Sequence, residues 1–128
     1  MKRKIVLTGI IKCKNEFLIV KRSKKEDNFC GAWEFPGGKL EDNEKLFDGL
    51  RRELLEEIGF DIKDREIKII NYYDELNNEL HYIELDFLIE VDNKELDIKL
   101  SDEHEEYCWI KKDSSLIDDF IKRKMEFI

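Results

Sequence analysis

A chain of 128 residues with 41% apolar content can bury one hydrophobic core without disulfide or metal staples. Its 23 basic residues stand against 31 acidic ones, for a net charge of −8. That balance excludes general nucleic-acid and anionic-membrane binding, both of which reward a basic surface, and it means that a phosphorylated ligand would need local cations.

The opening "MKRKIVLTGIIKCK" has a short, interrupted apolar run with no small-residue cleavage site after it, so it reads as a strand and not as a signal peptide. Within it, Ile5 to Ile11 is apolar and β-branched, and the turn "KNE" before "FLIVKR" predicts a hairpin. The polar loop "SKKEDNFCGA" leads into "WEFPGG", which holds the lone proline, Pro36. A helix is expected from about Glu44 to Ile58, with Asp42 or Asn43 as its cap and Gly59 as its stop. Phe47, Leu50, Leu54 and Ile58 would form its apolar stripe.

"REIKIINYYDE" and "HYIELDFLIEV" read as strands joined by the turn-like "LNNEL". In the second, Ile83, Leu85, Phe87, Ile89 and Val91 alternate with mostly polar residues, which predicts one buried face. A loop, "DNKELDIKLSDEHEE", precedes a short strand, "YCWIK". The tail "SSLIDDFIKRKMEFI" predicts a second helix, capped by Ser114 or Ser115, with Leu116, Phe120 and Met125 inward. The sum is one α/β (α+β) domain, residues 1–128, with a mixed sheet and at least two helices.

Cys13, Cys30 and Cys108 make no C-x-x-C pair and are odd in number, which favours free thiols in a reducing cytoplasm. His81 and His104 have no ligand spacing to each other, and neither is assigned to a metal.

The chemistry concentrates in "GGKLEDNEKLFDGLRRELLEEIGF", residues 37 to 60. Glu53, Glu56 and Glu57 stand at i, i+3 and i+4, so their side chains leave adjoining positions of one helical surface. Like charges so placed raise one another's pKa and weaken a helix. A hard dication, Mg²⁺ or Mn²⁺, reverses that penalty because it takes carboxylate and water oxygens together. The competing reading is an ordinary solvated face.

The full pattern is Gly38, five residues, Glu44, seven residues, Arg52-Glu53-Leu54, one residue, Glu56-Glu57, one residue, Gly59-Phe60. It resembles the Nudix box, departing only in an aromatic Phe60 where an aliphatic is more usual. "WEFPGGK" upstream is similar to the approach to the box in the MutT-like branch. The resemblance implies a Nudix αβα sandwich with a catalytic loop-helix-loop and a Mg²⁺-dependent hydrolase acting on a nucleoside diphosphate linked to another group. It implies Glu53, Glu56 and Glu57 as metal ligands with the carbonyl of Gly38. Arg52 would orient the carboxylates, Glu44 would support the loop-helix-loop, and Gly37, Gly38 and Gly59 would allow tight backbone approaches. A further acidic ligand is expected in "DEHEEYCW": Glu103, with Glu105 and Glu106 as competitors. Glu53 is taken as general base, with Glu103 or Glu56 as alternatives.

For the substrate, the resemblance implies a nucleoside triphosphate, oxidised (8-oxo-dGTP-like) or a pyrimidine deoxynucleotide, cleaved to monophosphate and pyrophosphate. Arg22 would meet the phosphates, Asp118 and Asp119 the base, and Phe35, Trp33, Tyr73 and His81 would line the pocket. The alternative for the two aspartates is a helix-start role favoured by the dipole, and for the aromatics a place in the core. Competing functions are hydrolysis of dinucleoside polyphosphates, nucleotide sugars or ADP-ribose, and a nucleotide-sensing module without catalysis. The expected partner is a small nucleotide, with no stable nucleic-acid partner and no membrane, on a cytoplasmic monomer or homodimer.

Overall fold

The apolar run at residues 5–11 forms the middle of strand β1 (Lys2–Cys13), in a computed structural model describing residues 1–25, 31–126 and 128. Leu7 and Ile11 on one face and Thr8 and Ile10 on the other are all buried, so β1 is an interior strand covered on both sides. The turn Lys14–Asn15 returns the chain into β2 (Glu16–Arg22), with Cys13 opposite Glu16, and Lys14 takes φ 56 to close it. The predicted hairpin is present.

Two short strands follow, β3 (Trp33–Glu34) and β4 (Gly37–Lys39), and then helix α1 (Leu46–Ile58). After it come β5 (Ile67–Leu76), β6 (Leu80–Glu90), β7 (His104–Ile110) and helix α2 (Asp119–Met125). The sheet runs β3-β2-β1-β6-β5, with β4 also paired to β1 and β7 to β2. β1 and β6 are parallel from Lys2↔Leu80 to Lys12↔Glu90, while the other pairs are antiparallel. The sheet is therefore mixed, as expected.

The helices cover opposite faces. Leu50, Leu54 and Ile58 of α1 join Leu7, Ile11, Leu18 and Val20 in one core. Ile121 and Met125 of α2, with Ile117 before it, join Ile10, Phe17, Ile19 and Phe35 in the other. Each fully buried aliphatic contributes about 1.5–3 kcal/mol. Among the described residues no helix is long and apolar enough to cross a membrane.

Four local expectations are corrected. Helix α1 begins at Leu46 with Lys45 at its N-cap and no side-chain cap. Neither Asp42 nor Asn43 caps it; Asn43 sits at φ 67 in a turn whose Glu41 N–H donates to Glu44 Oε1 at 2.8 Å. The stripe loses Phe47, which is 41% exposed. Strand β6 is buried on both faces, because Glu84 and Asp86 lie under α2 and are bound there by Lys124. Helix α2 is capped by Asp118, whose carboxylate accepts the Ile121 N–H at 3.0 Å, while Ser114 closes only a preceding turn. That late start turns Ile117, Ile121 and Met125 inward and leaves Leu116 and Phe120 outward. The C-terminal stop at Gly59, φ 67, is as predicted.

Candidate active site

Arg52 organises the outer half of the acidic helix. Its Nε donates to Glu44 Oε2 at 2.7 Å and its Nη2 to Glu44 Oε1 at 2.9 Å. Nη1 donates to Glu53 Oε1 at 2.9 Å and Glu56 Oε2 at 3.3 Å, and Nη2 also reaches the Lys39 carbonyl at 3.1 Å. A guanidinium has five N–H donors, and these bonds use all of them. The Arg52 fork, then the Glu41 N–H, hold the Glu44 carboxyl down at about 2. Glu44 is thus an anion tying the Glu41 turn to Arg52 of the helix.

Glu53 lies against the bare Cα of Gly38: a Cβ there would fall 2.1 Å from Glu53 Oε2. Burial raises the Glu53 pKa, Arg52 opposes the rise, and the charges of Glu56 and Glu103 add to it. Glu56 is the exposed member, its contact being Arg52.

Glu57 is buried, one helical turn beyond Glu53, and accepts the Gly37 N–H at 3.2 Å. Gly37 has φ 154, and a Cβ on it would meet the Leu7 carbonyl oxygen at 2.0 Å. Only glycine lets β4 run this close to β1 while offering its N–H to the helix. Burial pushes the Glu57 carboxyl up to about 8; the Gly37 bond opposes this, and the charges of Glu103, Glu53 and Glu34 reinforce it.

Backbone bonds bring Glu103 to the same place. Lys99 N–H donates to the Ile58 carbonyl at 2.8 Å and Ser101 N–H to the Glu57 carbonyl at 3.0 Å, so the loop before β7 is stapled to the end of α1. Ser23 N–H then holds the Glu103 carbonyl at 2.8 Å. Among the described residues, Glu57, Glu103 and His104 each offer one ligand atom, all within 4.8 Å of one another. Oxygens and nitrogens on one small dication lie no more than about 4.2–4.8 Å apart, twice the usual metal–ligand distance. Glu105 and Glu106, the competing candidates, point to Lys21 instead.

His104 is the residue that spacing missed. It is buried; its Nε2 lies 3.1 Å from Glu34 Oε2 and its Nδ1 3.9 Å from Glu57 Oε1. Nδ1 has no hydrogen-bond partner among the described residues. An orphaned buried nitrogen beside a buried carboxylate of raised pKa is a donor pair that a cation would satisfy, and the donor set fits a divalent metal. The sequence signal was adjacency to Glu103, which a search for His–His spacing does not read.

The substrate candidates are scattered. Arg22 Nη1 approaches Glu34 Oε2 at 3.5 Å, so it stands at the rim of the acidic group. Phe35 is buried in the core under α2. His81 is held by Asp74 at 2.7 Å and Arg3 at 3.2 Å near the start of β6, separate from the acidic group. Asp118 is committed to capping α2 and Asp119 is its exposed first residue, which is the helix-start role. Tyr73 is exposed and Trp33 half-buried. Cys30 lies outside the described residues, and Cys13 and Cys108 are free thiols.

Comparison with known proteins accords with this arrangement. The NUDIX domain matches residues 1–128. An 8-oxo-dGTP diphosphatase of Buchnera aphidicola subsp. Schizaphis graminum is 43% identical over 74 residues, 57% of this chain and 56% of that protein. One from Proteus vulgaris is 44% identical over 57 residues, 44% of this chain and 51% of that protein, so the match spans about half the length of these two relatives. The nucleoside triphosphatase NudI of Salmonella paratyphi B is 28% identical over 129 residues, covering 93% of this chain and 89% of that one. The crystal structure of a MutT protein from Methanosarcina mazei Go1 superimposes with a TM-score of 0.79 at 27% identity, covering 98% of this chain and 91% of that one. With its box geometry, mixed sheet and flanking helices in place, the chain belongs to the NUDIX family as a MutT-like member.

Proposed function

We propose that this protein is a divalent-cation-dependent hydrolase that cleaves a nucleoside triphosphate to a nucleoside monophosphate and pyrophosphate. The observation that carries the reading is the buried Glu57 carboxyl, pushed up to about 8, beside Glu53 and Glu103 with an orphaned imidazole nitrogen facing it. A structural helix has no reason to bury so much acid in its last turns without a counter-charge. The names carried by relatives, 8-oxo-dGTP diphosphatase and nucleoside triphosphatase, support the same reaction class.

Glu53, Glu56, Glu57 and Glu103, with the Gly38 carbonyl, would hold the cation, Mg²⁺ or Mn²⁺. When bound, such an ion supplies positive charge to the polyphosphate and favours ionisation of water. The residues of the chain do the rest. Arg52 keeps Glu53 and Glu56 in one orientation, and Gly38 leaves room for the Glu53 carboxylate. Glu53, whose pKa is raised by burial, is the group that would take the proton of the attacking water. Arg22 at the rim would meet the phosphate chain. The nucleotide pool of the cytoplasm is the proposed setting, with the protein acting as a monomer or homodimer.

The test is a panel of oxidised purine and pyrimidine deoxynucleoside triphosphates assayed for pyrophosphate against phosphate release, with Mg²⁺ and after chelation. Glu53→Gln is expected to lower kcat by at least a hundredfold with an unchanged circular dichroism spectrum. Turnover that survives chelation, or an unimpaired Glu53→Gln enzyme, would refute the mechanism.

A further inference from the structure

His104 stands apart from the acidic set because it brings nitrogen to a site otherwise built of oxygen. Both of its ring atoms have defined surroundings. Nε2 faces the Glu34 carboxylate at 3.1 Å, and that carboxylate also takes the Arg22 guanidinium at 3.5 Å, so its oxygen is set among donors as an acceptor. A carboxylate accepts, so Nε2 carries the proton and Nδ1 presents a bare lone pair. Nδ1 looks toward Glu57 Oε1 at 3.9 Å, too long for a hydrogen bond, and has no other partner among the described residues. A carboxylate holding one imidazole nitrogen while the other faces open ligand space is the arrangement that orients metal-binding histidines.

The position is fixed from both sides of the chain. His104 N–H donates to the Ser101 carbonyl at 3.2 Å, and Ser101 N–H is bound to the Glu57 carbonyl at 3.0 Å. His104 opens β7, opposite Arg22 of β2 where the register shifts. These backbone bonds fix the Cα of His104, its side chain is wholly enclosed, and turning the ring outward would break the Nε2 contact with Glu34.

We propose that His104 Nδ1 is a direct ligand in the cation site, with Glu57 and Glu103, so that the site prefers a divalent transition ion that accepts imidazole, such as Co²⁺, Ni²⁺ or Zn²⁺. Oxygen-only sites suit Mg²⁺ and Mn²⁺, whereas one imidazole shifts the balance toward the later ions. This rests on the reading of the acidic group as a cation site. It adds a nitrogen donor from β7 and the class of metal.

The test separates the two. Titration calorimetry of the metal-free protein with Co²⁺ and with Mg²⁺ is expected to show binding of both. His104→Gln should weaken Co²⁺ at least tenfold and Mg²⁺ less than threefold, whereas Glu57→Gln should weaken both. Equal losses, or none, for His104→Gln would overturn the proposal and leave the cation site standing. No dication binding to the unaltered protein, or binding unmoved by Glu57→Gln, would overturn both. A measurement without a substitution at His104 guards against a variant that does not fold. The chain has two histidines, so His81→Gln leaves His104 alone. Proton NMR of that protein loaded with Co²⁺ should show a strongly shifted, exchangeable ring N–H, the Nε2 proton on Glu34. Absence of any shifted imidazole proton in the loaded protein would overturn the assignment.

Discussion

Lys124→Met removes the cation that, among the described residues, pairs with two buried carboxylates. Lys124 of α2 is 7% exposed and binds Glu84 closely and Asp86 at 3.5 Å, while Glu84 and Asp86 are 5% and 2% exposed. Among the described residues Asp86 Oδ1 has no hydrogen bond, so its ion pair with Lys124 carries the compensation. Breaking a buried pair costs about 3–5 kcal/mol because the partner charges are stranded. The loss is capped by neutralisation: protonating a carboxylate of ordinary pKa near 4 at pH 7.5 costs about 5 kcal/mol. That cap shrinks by about 2.7 kcal/mol per carboxylate at pH 5.5. In the unaltered protein burial raises Asp86 to about 6, Lys124 opposes that, and Glu84 adds to it. A folded pKa above the unfolded value means that the native state holds a proton the unfolded state has lost. Stability of the unaltered protein therefore falls as pH rises from about 4 to 6 and is flat above, gaining little between pH 7.5 and 5.5. The variant's deficit in urea unfolding should thus be about 3–5 kcal/mol at pH 7.5 and smaller by about 2 kcal/mol at pH 5.5. Adding Glu84→Gln and Asp86→Asn should recover most of it. A deficit below about 1 kcal/mol, or one independent of pH, would refute the claim that these charges are buried and mutually dependent.

Three further substitutions probe the site. Gly37→Ala places a Cβ 2.0 Å from the Leu7 carbonyl at φ 154, and should cost about 3 kcal/mol or more in denaturant unfolding. Gly38→Ala instead meets the movable end of Glu53 at 2.1 Å; melting should change little while kcat falls at least tenfold. Arg52→Lys replaces a five-bond fork with a point charge and should lower kcat/KM more than tenfold, with the Glu44 turn loosened in amide exchange. Equal losses of stability for the two glycine variants would contradict the distinction between a backbone and a side-chain neighbour.

The site was legible where its chemistry is local. The helix, the i, i+3, i+4 acids, the arginine and the glycines sit within two dozen residues, so spacing alone places them. What spacing did not place depends on pairing. His104 reaches Glu57 only because the loop before β7 is tied to the last carbonyls of α1. Glu84 and Asp86 read as the wet face of a half-buried strand. They are covered because β6 lies between β1 and β5 and α2 crosses its second face. The start of α2 is ambiguous in the sequence for a similar reason: Ser114, Ser115 and Asp118 are all sound caps in isolation, and docking of Ile117, Ile121 and Met125 selects Asp118.

The charge inventory of the site then explains why the ridge is built from more acid than its own arginines can balance. Glu34, Glu44, Glu53, Glu56, Glu57 and Glu103 gather around Arg22 and Arg52 among the described residues. Arg52 spends two of its donors on Glu44, which fixes a turn, and two more on Glu53 and Glu56. It makes no bond to Glu57, which is left with one backbone N–H in a desolvated place. A polyphosphate arriving at this surface would deepen the deficit, so anion binding and relief of Glu57 call for the same added cation. The arginine that arranges the outer carboxylates is thereby the reason the inner one remains open to a metal.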